Sequence, residues 1–214
     1  MDLTTVRLQA PATLTAPALE LRPWSPADAA DLVAVFRDDE ALRRWTSDGP
    51  HDLASALRWV REQRRLRHSG ERFSFAVVET GDREKGGQDQ EKGGRLLGHV
   101  VLKRRAPDSA SAEVGYWTAA HARGRGVAPR ALGALTQWAF DAFPPDEVAR
   151  LDLVHQVDNT ASCRVADKCG YTFGEVLPAA PPAFPLDGHR HVRVRADSRK
   201  DRAQAAHVRR REVR

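Results

Sequence analysis

Cysteine is scarce in this chain: Cys163 and Cys169 are the only two in 214 residues. They fall six positions apart in a predicted helix, which sets them roughly 9 Å apart along its axis and too far for a disulfide. Their spacing fits no zinc pattern, so reduced thiols and no metal are expected. No apolar run approaches the ~20 residues that cross a bilayer, so no membrane span is expected. The opening MDLTTVRLQAPATL has no basic start followed by an apolar block. It is not expected to be a secretory signal, and the expected location is cytoplasmic. The basic end, Ser198–Arg214, has no aromatic residue. Bases would find nothing to stack on there, and nucleic acid is not an expected partner.

What is present describes a water-soluble globular protein. Charged residues make up 29% and hydrophobic ones 41%, and the length suits one domain with a real core. The net charge is +5, with much of the excess in the tail at 198–214. Residues 1–13 read as an irregular arm and residues 14–197 as the domain.

The elements follow from pattern and caps. Leu19–Arg22 alternates and reads as a strand. Ser25-Pro26-Ala27-Asp28 reads as a capped helix start, with a further helical turn at Asp39–Trp45. Asp52 caps a long helix, Leu53–His68, which Gly70 ends. The period then changes to two. Phe73–Val78 and Leu96–Lys103 read as antiparallel strands joined by a polar, glycine-rich hairpin loop at 80–95, expected to be mobile. Ser111–Trp117 is the fourth predicted strand and Pro129–Phe143 a helix. Arg150–Gln156 is the fifth strand, Asn159–Gly170 a helix, and Tyr171–Leu177 and Arg190–Arg195 the last strands. The fourth strand, its helix and the fifth strand form a βαβ unit, so those two strands run parallel. The class is a mixed α+β fold.

Between the fourth strand and its helix stands Arg123-Gly124-Arg125-Gly126-Val127-Ala128. The first turn of a helix has backbone N–H groups without intrahelical acceptors, and its dipole adds positive potential. Glycines let that backbone come close to a phosphate, and arginines add charge-assisted bonds. The turn lacks the lysine and hydroxyl of a G-x-x-x-x-G-K-[ST] loop and the third glycine of G-x-G-x-x-G, where Pro129 stands. In open sheets, ligands bind at the carboxyl ends of such strands.

The turn fits the pattern [Q/R]-x-x-G-x-[G/A] as Arg123-x-x-Gly126-x-Ala128. With AEVGYW before it, DNTASCRVADKCGY after the fifth strand, the opening LELRPWSPADAADL and the ending DGHRHVRVRA, the chain resembles the GNAT superfamily of acyl-coenzyme A N-acyltransferases. It looks like the branch holding the bacterial ribosomal-protein N-terminal acetyltransferases. The resemblance implies a largely antiparallel sheet of about seven strands, a parallel, splayed fourth and fifth strand, and about four flanking helices. It implies acetyl-CoA as donor and no metal. The acceptor would be an amine, first a protein or peptide N-terminus, then a small-molecule amine. A non-catalytic acyl-CoA-binding regulator is the rival, and a homodimer stays open.

Site residues follow from the same resemblance. Backbone of Val114, Tyr116, Trp117 and Thr118 would bond the pantetheine arm, with Gly115 in a bulge and an amide near Trp117 or Thr118 facing the oxyanion. Residues Arg123, Gly124, Arg125, Gly126, Val127, Ala128 and Arg130 would hold the pyrophosphate, and Arg164 would reach the phosphates. Asn159 would bond the pantetheine or cap its helix. Ser162 would position or protonate the departing sulfur. Glu113, then His155, are the candidate bases. Trp45 and Phe184 would wall the acceptor pocket, with Asp48 or Asp187 drawing in a cationic amine. The loop PAAPPAFPLDG lacks the glutamate that some relatives place there.

Overall fold

The computed structural model describes residues 3–46, 49–80, 94–104 and 109–196. The expected loop at 80–95 lies outside them except at its ends, and so does the tail at 198–214. No helix among the described residues is long and apolar enough to cross a membrane.

Among the described residues, eight strands form one sheet: β1 (Leu8–Ala10), β2 (Leu19–Pro23), β3 (Arg72–Glu79), β4 (Leu96–Arg104), β5 (Ser111–Thr118), β6 (Arg150–Gln156), β7 (Thr172–Leu177) and β8 (Gly188–Val194). Their order is β1-β2-β3-β4-β5-β6-β8-β7. The fourth and fifth strands expected from sequence are β5 and β6, and theirs is the parallel pair in an otherwise antiparallel sheet. The additional strand is a correction to the irregular arm: Leu8–Ala10 pairs with Leu19–Leu21. Three residues between polar and proline-rich neighbours are too few to display a period, so only the sheet edge reveals them as a strand.

Five helices among the described residues flank the sheet: α1 (Ala29–Arg37), α2 (Glu40–Trp45), α3 (Leu53–His68), α4 (Val127–Ala142) and α5 (Thr160–Lys168). Their starts are written in short side chains. Ser25 and Asp28 form a reciprocal capping box before α1, and Asp52 and Ser55 form another at α3. The Asp39 carboxylate caps α2 by accepting from Leu42 N at 2.9 Å. Asp28 also takes a bidentate bond from buried Arg22 at 2.8 and 2.7 Å, locking β2 to the entry of α1.

Alternation in the strands splits the core in two. Phe73, Phe75 and Val77 of β3, with Val100 and Leu102 of β4 and Val114 of β5, face α4 and α5. Ala76, Leu96 and Trp117 face α1, α2 and α3, together with Trp24, Leu32 and Val60. The register slips between Val77 and Val78, where Leu97 is the extra residue of a bulge in β4. No bulge occurs at Gly115, contrary to expectation. That residue pairs regularly with Val101 in an unbroken β4–β5 ladder.

Candidate active site

The parallel ladder of β5 and β6 is short. It runs from Ser111 opposite Arg150 to Val114 opposite Leu153 and then ends. Beyond it, Gly115–Thr118 and Val154–Gln156 diverge, so each presents a backbone edge that the other leaves unbonded. Divergence of β6, rather than a kink in β5, makes the opening. That is why a glycine in β5 was a misleading signal.

The opening is a cavity of about 550 Å³. Its walls are Tyr116–Thr118 of β5, Leu153–Gln156 of β6, the first turns of α4 and α5, and Leu42 and Trp45 of α2. At one end lies the glycine turn. Gly124 and Gly126 have φ of 76° and 72°, a region that side chains with a Cβ rarely adopt. Gly126 is the N-cap of α4, so the helix begins two residues before Pro129 and takes that proline into its first turn. Proline costs little there, since a first-turn N–H has no intrahelical acceptor to lose. The amides of Gly124, Arg125 and Gly126 find no backbone acceptor among the described residues. A Cβ on Gly124 would meet nothing within 4 Å. Open space above bare amides fits a diphosphate.

The arginines of the turn have other partners. Arg123 is ion-paired with buried Asp39, which ties the turn to α2. Arg125 pairs with Glu79 at 2.5 Å. Arg130 lies off the cavity and donates to the carbonyls of Pro11 and Pro17, each at 2.7 Å. Its expected place at the pyrophosphate is therefore corrected: its guanidinium straps the N-terminal arm to α4. Arg164 does line the cavity, and so does Lys168. Across the mouth, Arg44 of α2 reaches Asp158 at 2.8 Å.

Deeper in, the Tyr116 hydroxyl donates to Ser162 Oγ at 3.0 Å. Burial pushes the Tyr116 phenol up to about 12, so it keeps its proton at neutral pH. Ser162 is 8% exposed. Its Oγ accepts from Tyr116, which leaves its own hydrogen to be donated elsewhere. Asn159 Oδ1 accepts from Ser162 N at 3.2 Å, so its side chain caps α5 beside the cavity. Trp117 stacks on His99, with ring centroids 5.7 Å apart. Val114 lies in the core below the fork.

Several expected residues stand elsewhere. Glu113 lies in the closed part of the ladder, opposite Asp152, and takes a bond from Lys103 Nζ at 2.6 Å. It is not on the cavity wall. As first-choice base it is corrected by position: the strands have not yet parted at that level. Phe184 is exposed on the far loop, and the Asp187 carboxylate accepts from Ala179 N at 2.8 Å to hold that loop's shape. Neither lines the cavity. Asp48 lies outside the described residues. His155 is on the wall, but its Nδ1 lies 2.9 Å from the Gln156 carbonyl and its Nε2 points to Cys163. Sequence reasoning missed Asp39, Arg44, Asp158 and Lys168. Asp39 read only as the first residue of a short helical turn, and nothing local marks a carboxylate that will also meet an arginine 84 positions away.

A family model described as an acetyltransferase (GNAT) domain matches residues 18–172. The chain belongs to the GNAT acetyltransferase family. It is an acetyl-CoA-dependent acyltransferase. Among solved structures, the microcin C7 self-immunity acetyltransferase MccE, in complex with acetyl-CoA and AMP, is similar at a TM-score of 0.69 and 16% identity, covering 83% of this chain and 92% of that one. The ribosomal L7/L12 α-N-protein acetyltransferase RimL in complex with coenzyme A gives 0.69 and 19%, covering 87% and 97%. RimJ of Mycobacterium smegmatis in complex with CoA-disulfide gives 0.69 and 19%, covering 89% and 86%. These likenesses are of fold. No curated protein sequence matches this acetyltransferase.

Proposed function

We propose that this acetyltransferase modifies the N-terminal α-amine of a protein or peptide. One observation carries the reading: among the described residues, no aspartate or glutamate lines the cavity. A lysine amine, with a pKa near ~10.4, needs a base to shed its proton, whereas an α-amine near ~7.7–8.0 is appreciably neutral at cellular pH. A site walled by uncharged groups and cations suits the second and not the first. Water relayed along the open mouth suffices to carry the proton away.

Acetyl-CoA supplies an acyl group on a thiol leaving group. The Gly124–Ala128 amides hold its diphosphate, and the unbonded edges of β5 and β6 hold its pantetheine arm as a strand would. The amine nitrogen bonds to the carbonyl carbon, the carbon–sulfur bond breaks, and the amine's proton passes to water. The Thr118 N–H, on the edge of β5 turned away from β4, stabilises the oxyanion. Ser162, oriented by Tyr116, donates its hydrogen bond to the departing sulfur.

The test uses the full chain with acetyl-CoA and pairs of peptides: one with a free N-terminus and no lysine, one with a blocked N-terminus and a free lysine. Thiol release and mass spectrometry read the product. Acetylation of the first set and not the second is expected. Acetylation confined to lysine side chains or to small amines overturns the reading, as does coenzyme binding without turnover.

A further inference from the structure

Four ligand-type side chains converge between α5 and the β6–β8 pair, and the acyl-transfer chemistry uses none of them. His155 and His189 are cross-strand partners, and His191 lies opposite Leu153. With a side-chain period of two, all three imidazoles stand on the face that α5 covers. Cys163 descends from α5 onto them. Its Sγ lies 3.7 Å from His155 Nε2 and 3.4 Å from His189 Nδ1, and one ligand atom from each of the four residues falls within 4.8 Å of the others.

We propose that His155, Cys163, His189 and His191 form a structural zinc site. Tetrahedral zinc, with bonds of ~2.3 Å to sulfur and ~2.05 Å to nitrogen, requires sulfur–nitrogen separations of about 3.6 Å and nitrogen–nitrogen separations of about 3.3 Å. Both sulfur–nitrogen distances already bracket that value. The remaining separations, none above 4.8 Å, close by up to about 1.5 Å through χ rotations.

Independent features point the same way. His191 is 3% exposed, and neither of its ring nitrogens has a hydrogen-bond partner. The Tyr171 backbone lies near this ring without making a bond of ordinary geometry. An imidazole stripped of water and given no partner is destabilising unless something else takes its lone pair. His155 is set up as a ligand: with Nδ1–H donating to the Gln156 carbonyl, its tautomer is fixed and its Nε2 lone pair faces the sulfur, an outer-shell contact typical of metal-bound histidine. Phe173 packs edge-on to His189 and His191, with centroids 5.3 and 5.7 Å away, and shields one side. Three imidazoles and one thiolate favour zinc over magnesium or calcium, which take oxygen ligands. Four protein ligands close the shell, so the site's role is to pin α5, with Asn159 and Ser162 on its first turn, to the β6 wall. Binding releases one proton as the Cys163 thiol becomes a thiolate.

Untagged full-length protein, stripped of metal, is titrated with cobalt(II) as spectroscopic probe and then with zinc. Expected are a thiolate-to-cobalt charge-transfer band, visible bands of tetrahedral intensity, displacement of cobalt by stoichiometric zinc, and a rise in melting temperature on zinc addition. Cys163→Ser should remove the charge-transfer band. His189→Gln, an independent variant should the first not fold, should weaken zinc binding about 100-fold or more. Cys169→Ser should leave every signal unchanged, because that thiol is turned to the Pro129 carbonyl at 3.2 Å. The proposal fails if metal-free protein binds no zinc, or if the band survives Cys163→Ser.

Discussion

A glutamate at position 128 tests the cradle without disturbing the fold. Ala128 lines the cavity and is the second residue of α4 after its Gly126 cap. Backbone strain does not enter, as it would at Gly124 or Gly126. An acidic side chain in the first turn is favoured by the helix dipole, by ~0.3–1 kcal/mol, so the melting temperature of the ligand-free protein should hold or rise slightly. Nearby cations are already engaged: Arg123 with Asp39 and Arg125 with Glu79. The new carboxylate would therefore meet the coenzyme's diphosphate directly. At a separation of ~5 Å and an effective dielectric of ~20, one pair of like charges costs about 3 kcal/mol, or roughly 150-fold in Kd. Ala128→Gln has the same length and no charge, and should stay within a few-fold of the parent. Isothermal titration with acetyl-CoA reads both variants, and the glutamate penalty should shrink as salt is raised. Parental affinity in Ala128→Glu, or equal losses in both variants, would refute an anion cradle at this helix mouth.

Further outcomes follow from other parts of the structure. Tyr116→Phe should lower kcat about tenfold, the worth of one oriented hydrogen bond, and leave coenzyme KM nearly unchanged. Ser162→Ala should cost about 100-fold as the loss of a direct donor, and an unaltered kcat in either would remove the pair from the chemistry. Asp28→Ala strands the buried Arg22 guanidinium and breaks a capping box, so denaturant unfolding should show a loss of about 3–5 kcal/mol. His99 is held neutral, its pKa lowered to about 3 by burial and by the charges of Arg72 and Lys103. Its unfolded form takes up a proton near ~6.5. Stability from this group is therefore complete above that pH and drains away as pH falls toward 3, by up to about 5 kcal/mol in total. His99→Gln should flatten that acid slope, as read by melting temperature against pH, and an unchanged slope would place the acid-sensitive group elsewhere.

Local chemistry made much of this fold readable. Ser25, Asp39 and Asp52 mark helix starts because a short acceptor side chain next to bare amides acts within a few residues. The glycine turn was legible for the same reason: Gly124 and Gly126 answer a backbone demand made on the spot, and the amides they expose need no distant partner. The parallel pairing of β5 and β6 was accessible too, since one helix between two strands has a strongly preferred handedness and direction.

What escaped were contacts whose partners lie far along the chain with no linking unit to announce them. Leu8–Ala10 is a strand only because β2 offers it an edge. Glu113 has a plausible residue type in a plausible strand, yet it sits one level below the fork, where β6 is still bonded to β5. Arg130 belongs to the basic turn by position and to the N-terminal arm by contact. Cys163 carries no metal signature along the chain, and three histidines reach it only when β6, β8 and α5 stack. A side chain's type and its near neighbours travel with the covalent chain, so caps, turns and periods can be read from it directly. Where two strands part company, and which groups then face the gap, depends on summed packing over the whole sheet, and no local stretch of residues encodes that sum.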